Sequence, residues 1–371
     1  MSIKILTVFG TRPEAAKMVP LVAVLRDCPY TKIKVAVTAQ HRAQLDQVLN
    51  VFNIKPDYDL DIMQPRQTLA DITIRALKGV EETIAKDKPD LVLVHGDTTT
   101  TLAASLAAYY AQVKLGHVEA GLRTYDKFQP FPEELNRRIT SALADLHFAP
   151  TENAKLNLIK ENISAHNIYV TGNTAIDCLA STVKAEHRFE LDVLNNIDFS
   201  KRVIAMTAHR RENLGQPLAE ICRAVRRLAD SFQDIIIVYA VHLNPAVRET
   251  VFPVLSNHPR IHLIDPLNIL DMHNLMSRSF FILTDSGGLQ EEAPAMGKPV
   301  LVLRNVTERP EAVSAGTVDV IGTERENVFA ASAQLLTDRD KYLKMASAKN
   351  PYGDGHASER IRDAILGAFN R

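Results

Sequence analysis

The chain has 371 residues, 46% hydrophobic and 23% charged, a globular composition long enough for two domains of about 150 residues and unlike a disordered or fibrous protein. Its 43 Lys and Arg against 44 Asp and Glu give a net charge of -1. That balance excludes the broad positive field that gathers nucleic acid or an anionic membrane, and leaves a small, locally recognised ligand.

The N-terminus, MSIKILTVFG, carries one Lys and a short apolar run, which reads as a first buried strand over 3–9 rather than a signal peptide. Further apolar runs follow at 33–37, 91–94, 113–118, 146–149 and 168–170, each bounded by turn residues and separated by stretches of helical period. The clearest helix is Thr99–Tyr110, where threonines precede an Ala/Leu-rich run. A second series lies at 203–206, 235–239, 261–264, 280–283 and 300–303. Short runs that are apolar throughout and alternate with helices belong to parallel sheets covered on both faces. The fold expected is therefore α/β, with two Rossmann-like doubly wound domains and a cleft between them; a single (β/α)8 barrel is the alternative. The first domain spans 1–172 and the second 173–355, the junction falling between Gly172 and Lys201, and a helix over about 356–371 is able to pack back on either.

No run approaches the roughly 20 apolar residues that cross a bilayer, so no membrane partner is expected. Cys28, Cys178 and Cys222 are odd in number, far apart and without C-x-x-C spacing, which fits a reducing cytoplasm. No His, Cys or carboxylate spacing resembles a zinc site, so no metal is expected. The absence of G-x-S-x-G, P-loop and G-x-G-x-x-G patterns disfavours serine hydrolase, NTPase and nicotinamide chemistry.

Open parallel sheets bind ligands beyond the carboxyl ends of their strands, so the residues that follow each run carry the functional reading. After the first comes Gly10-Thr11-Arg12-Pro13-Glu14, with Lys17 a turn later: a helix N-terminus with two cations for a phosphate, or an ordinary turn with Pro13 at the first helical position. After the third run, Asp97 in His95-Gly96-Asp97-Thr98 is either a helix N-cap or an acid/base group. Glu119 follows the fourth, and Glu133 and Glu134 open a helix shortly after. Carboxylates brought together repel one another, which raises pKa values toward those useful near neutrality. The alternatives are a salt bridge from Glu119 to Arg123 or Arg137 and a helix-start role for Glu133 or Glu134.

In the second half, His209-Arg210-Arg211-Glu212 offers an imidazole and cations at a strand end, with His209 placed for a diphosphate or for structure. His242 either lines the crevice or ends a strand. Thr284 to Ala293 is the richest segment: Ser286, Gly287 and Gly288 let a helix N-terminus meet phosphate, and Glu292 accepts from a ribose diol, unless this is a plain Gly-rich turn with exposed acids. Arg309 has the flat fork that binds diphosphate or pairs with a neighbouring carboxylate.

Taken together, VFGTRPEAAKM, TAQHR at 38–42, HGDTTTT, GHVEAGLRT, FPEELNRR, TGNTAIDC, TAHRREN, HLNP, LTDSGGLQEEAP, GKPVLVLRNVTERPEA and NPYGDG resemble, from end to end, the non-hydrolysing UDP-N-acetylglucosamine 2-epimerases of bacteria. The resemblance implies a two-domain GT-B-like fold, a homodimer, no cofactor, and interconversion of UDP-GlcNAc with UDP-ManNAc that supplies ManNAc for cell-surface polysaccharide. Anti elimination of UDP to bound 2-acetamidoglucal, then re-addition, would accomplish it. By the same resemblance Asp97, Glu119 and Glu133 occupy the acid/base positions and His209 that of the catalytic histidine. Arg12, Lys17, Ser286, Gly287, Gly288, Glu292 and Arg309 match UDP-binding positions, while Met272 stands where the family is often aromatic. Gln40, His41, Arg66, Arg210 and His242 match residues that take a second substrate molecule as an activator. A hydrolysing epimerase releasing ManNAc and UDP, a glycosyltransferase and a silent nucleotide-sugar sensor are the competing readings.

Overall fold

A computed structural model describes residues 2–40 and 42–370. They form two compact units, one holding the described residues up to Ala180 and from Tyr352 onward, the other Ser181–Pro351.

The first unit runs β1 (Ile3–Phe9), α1 (Arg12–Asp27), β2 (Thr31–Val37), α2 (Arg42–Val51), β3 (Tyr58–Asp59), α3 (Leu69–Asp87), β4 (Leu91–His95), α4 (Thr99–Tyr110), β5 (Lys114–Val118), α5 (Glu133–Leu143), β6 (Leu146–Ala149), α6 (Glu152–Lys160), β7 (Ile168–Val170) and α7 (Thr174–Thr182). Its strands are all parallel, in the order β3-β2-β1-β4-β5-β6-β7, with Ile5 opposite both Ile33 and Leu91. Every residue of β4 and β6 is buried, as strands covered by helices on both faces require. α4 lies close to the sheet because Ala103, Ala104, Ala107 and Ala108 are fully buried and carry no bulk.

The second unit runs α8 (Asp192–Asn195), β8 (Arg202–Thr207), α9 (Gln216–Ser231), β9 (Ile235–Ala240), α10 (Pro245–Leu255), β10 (Ile261–Ile264), α11 (Ile269–Arg278), β11 (Phe281–Thr284), α12 (Gly287–Ala295), β12 (Val300–Val302), α13 (Pro310–Ala315), β13 (Val318–Val320), α14 (Arg325–Thr337) and α15 (Arg339–Ala346). Its parallel order, β10-β9-β8-β11-β12-β13, is the doubly wound one, with the chain reversing its direction of travel between β8 and β11. Both sheets are open, which rules out the (β/α)8 barrel.

The last helix, α16 (Ala357–Ala368), belongs to the first unit. Ile361 and Ile365 are fully buried in the same cluster as Met18, Leu21 and Leu25 of α1, worth about 1.5–3 kcal/mol for each large apolar side chain so buried. The Asp177 carboxylate accepts from Ala357 N (3.1 Å) and Ser358 N (2.7 Å). A charge borrowed from α7 thus satisfies the first donors of α16.

Candidate active site

The strand order switches between β1 and β4 in the first unit, and the turns after those two strands are fastened together by Glu14. Thr11 and Glu14 make a capping box at the start of α1. The Glu14 carboxylate accepts from Gly10 N (3.1 Å), Thr11 N (2.8 Å), Thr98 Oγ1 (2.7 Å) and Thr101 Oγ1 (3.1 Å). Burial raises its pKa despite these four donors. Gly10 has no room for a side chain: a Cβ would stand 2.0 Å from Thr38 Oγ1 and 2.6 Å from Thr100 Oγ1. Arg12 is the exposed first residue of α1.

Thr98, not Asp97, caps α4, its hydroxyl accepting from Thr101 N at 3.1 Å. The hydroxyl takes the cap because Asp97 is engaged elsewhere: Asn136 Nδ2 donates to its backbone carbonyl at 2.9 Å and Arg137 Nη1 to its Oδ2 at 3.2 Å. Desolvation pushes the Asp97 pKa up to about 7, against Arg137 and Lys17, with the charges of Glu119 and Glu133 adding to the rise. The side chain keeps 29% of its surface open, so the group can still exchange a proton.

The adjacent glutamates after Pro132 take different parts. Glu134 is fully buried and accepts from Thr124 N and Tyr125 N, each at 3.0 Å, and from Arg137 Nε at 2.9 Å. Burial pulls its pKa up, but the Thr124 donor, Arg137 and the Tyr125 donor outweigh that and hold it below the usual value. Glu133, the first residue of α5, is half-buried, and its charge acts on Asp97. Glu134 therefore anchors the preceding loop to the start of α5.

Glu119 sits at φ +62°, in the left-handed region, directly after β5. It is in an ion pair with Lys17 of α1, accepts from Asn173 Nδ2 at 2.7 Å, and has His95 Nε2 at 3.8 Å. The arginines expected as its partners are bound to other acids, Arg123 to Glu161 at 2.7 Å and Arg137 to Asp97 and Glu134. The turn behind Glu119 depends on Gly121, at φ +94°, where a Cβ would lie 2.2 Å from the Ala154 carbonyl oxygen. Gln40 accepts from Thr100 Oγ1 at 3.0 Å, Arg66 is exposed, and His41 lies outside the described residues.

In the second unit Asp285 organises the switch point. It is fully buried, and its Oδ2 accepts from His209 N (2.8 Å), Arg210 N (2.8 Å) and Asn213 Nδ2 (3.0 Å). Its Oδ1 is 3.6 Å from His209 Nδ1. Desolvation lowers the pKa of His209, with Asp285 opposing and His242 and Arg210 assisting. The His242 ring stacks on that of His209, centroids 5.2 Å apart and planes 10° from parallel.

Ser286 stands at the N-cap position of α12, with its own N–H donated to Thr284 Oγ1 at 3.0 Å. Arg309 Nη2 and Arg210 Nη2 lie 3.7 and 3.9 Å from where a Gly287 Cβ would be, so two guanidinium groups flank this helix start. Arg309 also holds buried Glu291 through Nε, which fixes the plane of its fork. Pairing with a carboxylate and presenting cationic N–H groups are thus compatible there. Arg210 shares this place with Arg309. Glu292 Oε2 is 3.4 Å from His273 Nε2, and Glu292 Oε1 lies 3.7 Å from the Cβ position of Gly288. Met272 precedes His273 on α11. No group of three metal-ligating side chains is placed to hold an ion among the described residues, and no helix among them is long and apolar enough to cross a membrane.

A carboxyl titrating near neutrality among other carboxylates, and a helix start flanked by two guanidinium groups, are the tools of proton transfer and of anion binding. Residues 24–366 match the profile of the UDP-N-acetylglucosamine 2-epimerase family. The chain belongs to that family. It is 57% identical over 364 residues to the UDP-N-acetylglucosamine 2-epimerase of Bacillus subtilis, covering 98% of this chain and 95% of that one. With the Escherichia coli K12 enzyme of the same name the identity is 53% over 368 residues, with 98% of both covered. The crystal structure of the Neisseria meningitidis UDP-GlcNAc 2-epimerase bound to UDP-GlcNAc superposes with a TM-score of 0.87 at 48% identity, over 98% of this chain and all of that one.

Strand-end reading did not find His95, Arg137, Asn173 or Asp285 as parts of the site. Arg137 lies inside a helix and acts through its length. Asp285 directly follows β11 and Asn173 lies in the turn three residues beyond β7, and those positions are the signal by which they are recognisable.

Proposed function

We propose that the protein interconverts UDP-GlcNAc and UDP-ManNAc by non-hydrolytic elimination and re-addition of UDP. The observation that carries the reading is the raised pKa of Asp97, about 7, beside Glu119 and Glu133. At neutral pH such a carboxyl is present in both forms and can accept or return a proton without a large penalty.

The carbon 2 proton of the sugar is too weakly acidic to be removed alone, so departure of the leaving group must assist. A carboxylate takes the proton, the C–H electron pair becomes the C1=C2 bond, and the C1–O bond breaks with its pair passing to the diphosphate oxygen. Re-addition at carbon 1 and protonation of carbon 2 from the opposite face give the epimer, so two proton-transfer groups are required. Asp97, Glu119 and Glu133 supply them. Arg210, Arg309 and the first N–H groups of α12 meet the charge that develops on UDP, with His209 at the diphosphate, Arg12 and Lys17 as further cations and Glu292 on the ribose. The relatives' names and the UDP-GlcNAc bound to the Neisseria enzyme support the substrate.

In this reading the enzyme works as a cytoplasmic homodimer and its product feeds cell-surface polysaccharide. Gln40, His41, Arg66, Arg210 and His242 take a second nucleotide-sugar molecule as an activator, with the His242 ring on His209 as the link to the reaction. Proton NMR with UDP-GlcNAc in D2O, without added metal or nucleotide cofactor, tests the chemistry. UDP-ManNAc with deuterium at carbon 2 is the expected product. Free ManNAc would make the protein a hydrolysing epimerase, and an unchanged spectrum despite binding would make it a sensor.

A further inference from the structure

His95 ends β4, after four apolar residues, where a fifth would bury without cost. Instead an imidazole only 3% exposed stands there, and neither Nδ1 nor Nε2 makes a hydrogen bond among the described residues. Buried polar atoms in folded proteins are nearly always paired, so an unpaired one close to a carboxylate needs a reason. Its Nε2 lies 3.8 Å from Glu119 Oε2, a few tenths of an ångström beyond hydrogen-bond range.

We infer that His95 is a positioning residue of this site: as a neutral imidazole with its proton on Nε2, it donates to the Glu119 carboxylate and holds it in place while a proton is transferred at carbon 2. The inference rests on the reading of Glu119 as a proton-transfer group. The groups around Glu119 among the described residues include Lys17 from α1, His95 from β4 and Asn173 from the turn after β7, and its charge acts on Asp97 in the turn after β4. Lys17 is long, flexible and cationic, and lies on the helix whose start is the candidate phosphate site. A donor from the rigid end of a strand keeps the carboxylate where it is when a phosphate draws Lys17. The ring itself does not titrate near neutrality, because burial lowers its pKa to about 4 against the pull of Glu119. It is a fixed donor, not a second acid.

Two measurements on the full chain test this, one independent of turnover. In protein with 15N-labelled histidine, the His95 resonances, assigned by their loss in His95→Gln, are expected to report a neutral ring protonated on Nε2 between pH 6 and 8 and to shift in Glu119→Gln. A ring protonated on Nδ1, an imidazolium, or resonances indifferent to Glu119→Gln overturns the inference. For turnover, His95→Leu removes the donor and His95→Gln restores an N–H near the Nε2 position. The expected result is a kcat reduced roughly 10- to 100-fold in His95→Leu with KM within about threefold, largely recovered in His95→Gln. A carboxylate that has lost a donor is more easily protonated, so the acid limb of the His95→Leu profile moves to higher pH. Equal losses in both variants with an unmoved acid limb would leave His95 a packing role and overturn the inference. A wild-type protein that does not epimerise refutes the proposed function instead, and the NMR result still decides the His95–Glu119 contact.

Discussion

Replacing Asp97 by Asn perturbs catalysis and stability in opposite directions. The amide keeps the shape of the side chain and the contact with Asn136, which goes to the backbone carbonyl, but it cannot exchange a proton. A lost general acid or base costs roughly 100-fold or more, so kcat for UDP-GlcNAc should fall at least that far while UDP binding persists. Stability moves the other way. An acid whose pKa is higher folded than unfolded favours the folded state at low pH and opposes it as the pH rises from the unfolded toward the folded value. The rise from 3.8 to about 7 amounts to a penalty of roughly 4 kcal/mol above pH 7. With 29% of the side chain open to solvent, that figure is a ceiling. Most of it, roughly 2–3 kcal/mol, accrues between pH 5 and pH 8.

Asp97→Asn is free of the penalty. The variant should therefore gain stability over wild type on going from pH 5 to pH 8, by at most that amount, while turning over far more slowly. The chain has no Trp, so urea unfolding is followed by far-UV circular dichroism at the two pH values, alongside the D2O exchange assay. Near-normal turnover would remove Asp97 from the mechanism. A stability difference identical at pH 5 and pH 8 would show that its carboxyl ionises in the ordinary range, and the electrostatic account of the cluster would fail.

Glu134→Gln should cost about 2–4 kcal/mol, because a buried carboxylate that holds Arg137 and two backbone donors loses its charge. The folded pKa of Glu134 is depressed, so its contribution is present above 4.5 and lost as the pH falls through the folded value. The gap between wild type and variant, read by urea unfolding, should accordingly close in acid. Gly121→Ala forces a Cβ to 2.2 Å from a backbone oxygen at φ +94°, and should lower the melting temperature sharply and reduce turnover by shifting Glu119; a melting temperature within a degree of wild type would contradict it. Arg309→Lys keeps the charge but loses the fork that holds Glu291 beside Gly287, so KM for UDP-GlcNAc should rise at least severalfold in steady-state kinetics.

Buried strands and the groups at their ends were the legible part of this chain. Runs such as LVLV at 91–94 and IIIVY at 235–239 are apolar on both faces, and that leaves a parallel sheet as their place. The edge strands β7 and β10 were legible as apolar runs too, but the other two edges were not. β3 is the pair Tyr58–Asp59 against Ala36 and Val37, and β13 is Val318–Val320 with Asp319 in its centre. A strand paired on one side only needs no continuous apolar run, and these two, short and interrupted by Asp59 and Asp319, have none. Of the site, motifs directly after strands brought out Asp97, Glu119, His209 and the Ser-Gly-Gly turn. Which acid pairs with which base was hidden, because that depends on helix phase and reach. Arg137 lies on the face of α5 that meets Asp97, and Lys17 on the face of α1 that meets Glu119, and several assignments fit the spacing equally well.

The histidines add no further positive charge to the carboxylates that Lys17 and Arg137 already meet. His95, His117 and His147 end or lie within β4, β5 and β6, each buried, with burial lowering their pKa values to about 4, about 3 and about 4. At neutral pH they place polar rings in these strands without adding positive charge. His117 Nε2 meets the Gly96 carbonyl at 2.8 Å, beside Asp97, a partner that a leucine there would remove. Were these rings charged, they would stabilise the Asp97 carboxylate and drag its pKa back toward 3.8. A row of neutral imidazoles lets the strand ends be polar enough to fix the turns and uncharged enough to keep Asp97 near neutrality. In that state a single carboxyl can serve both directions of a reversible proton transfer.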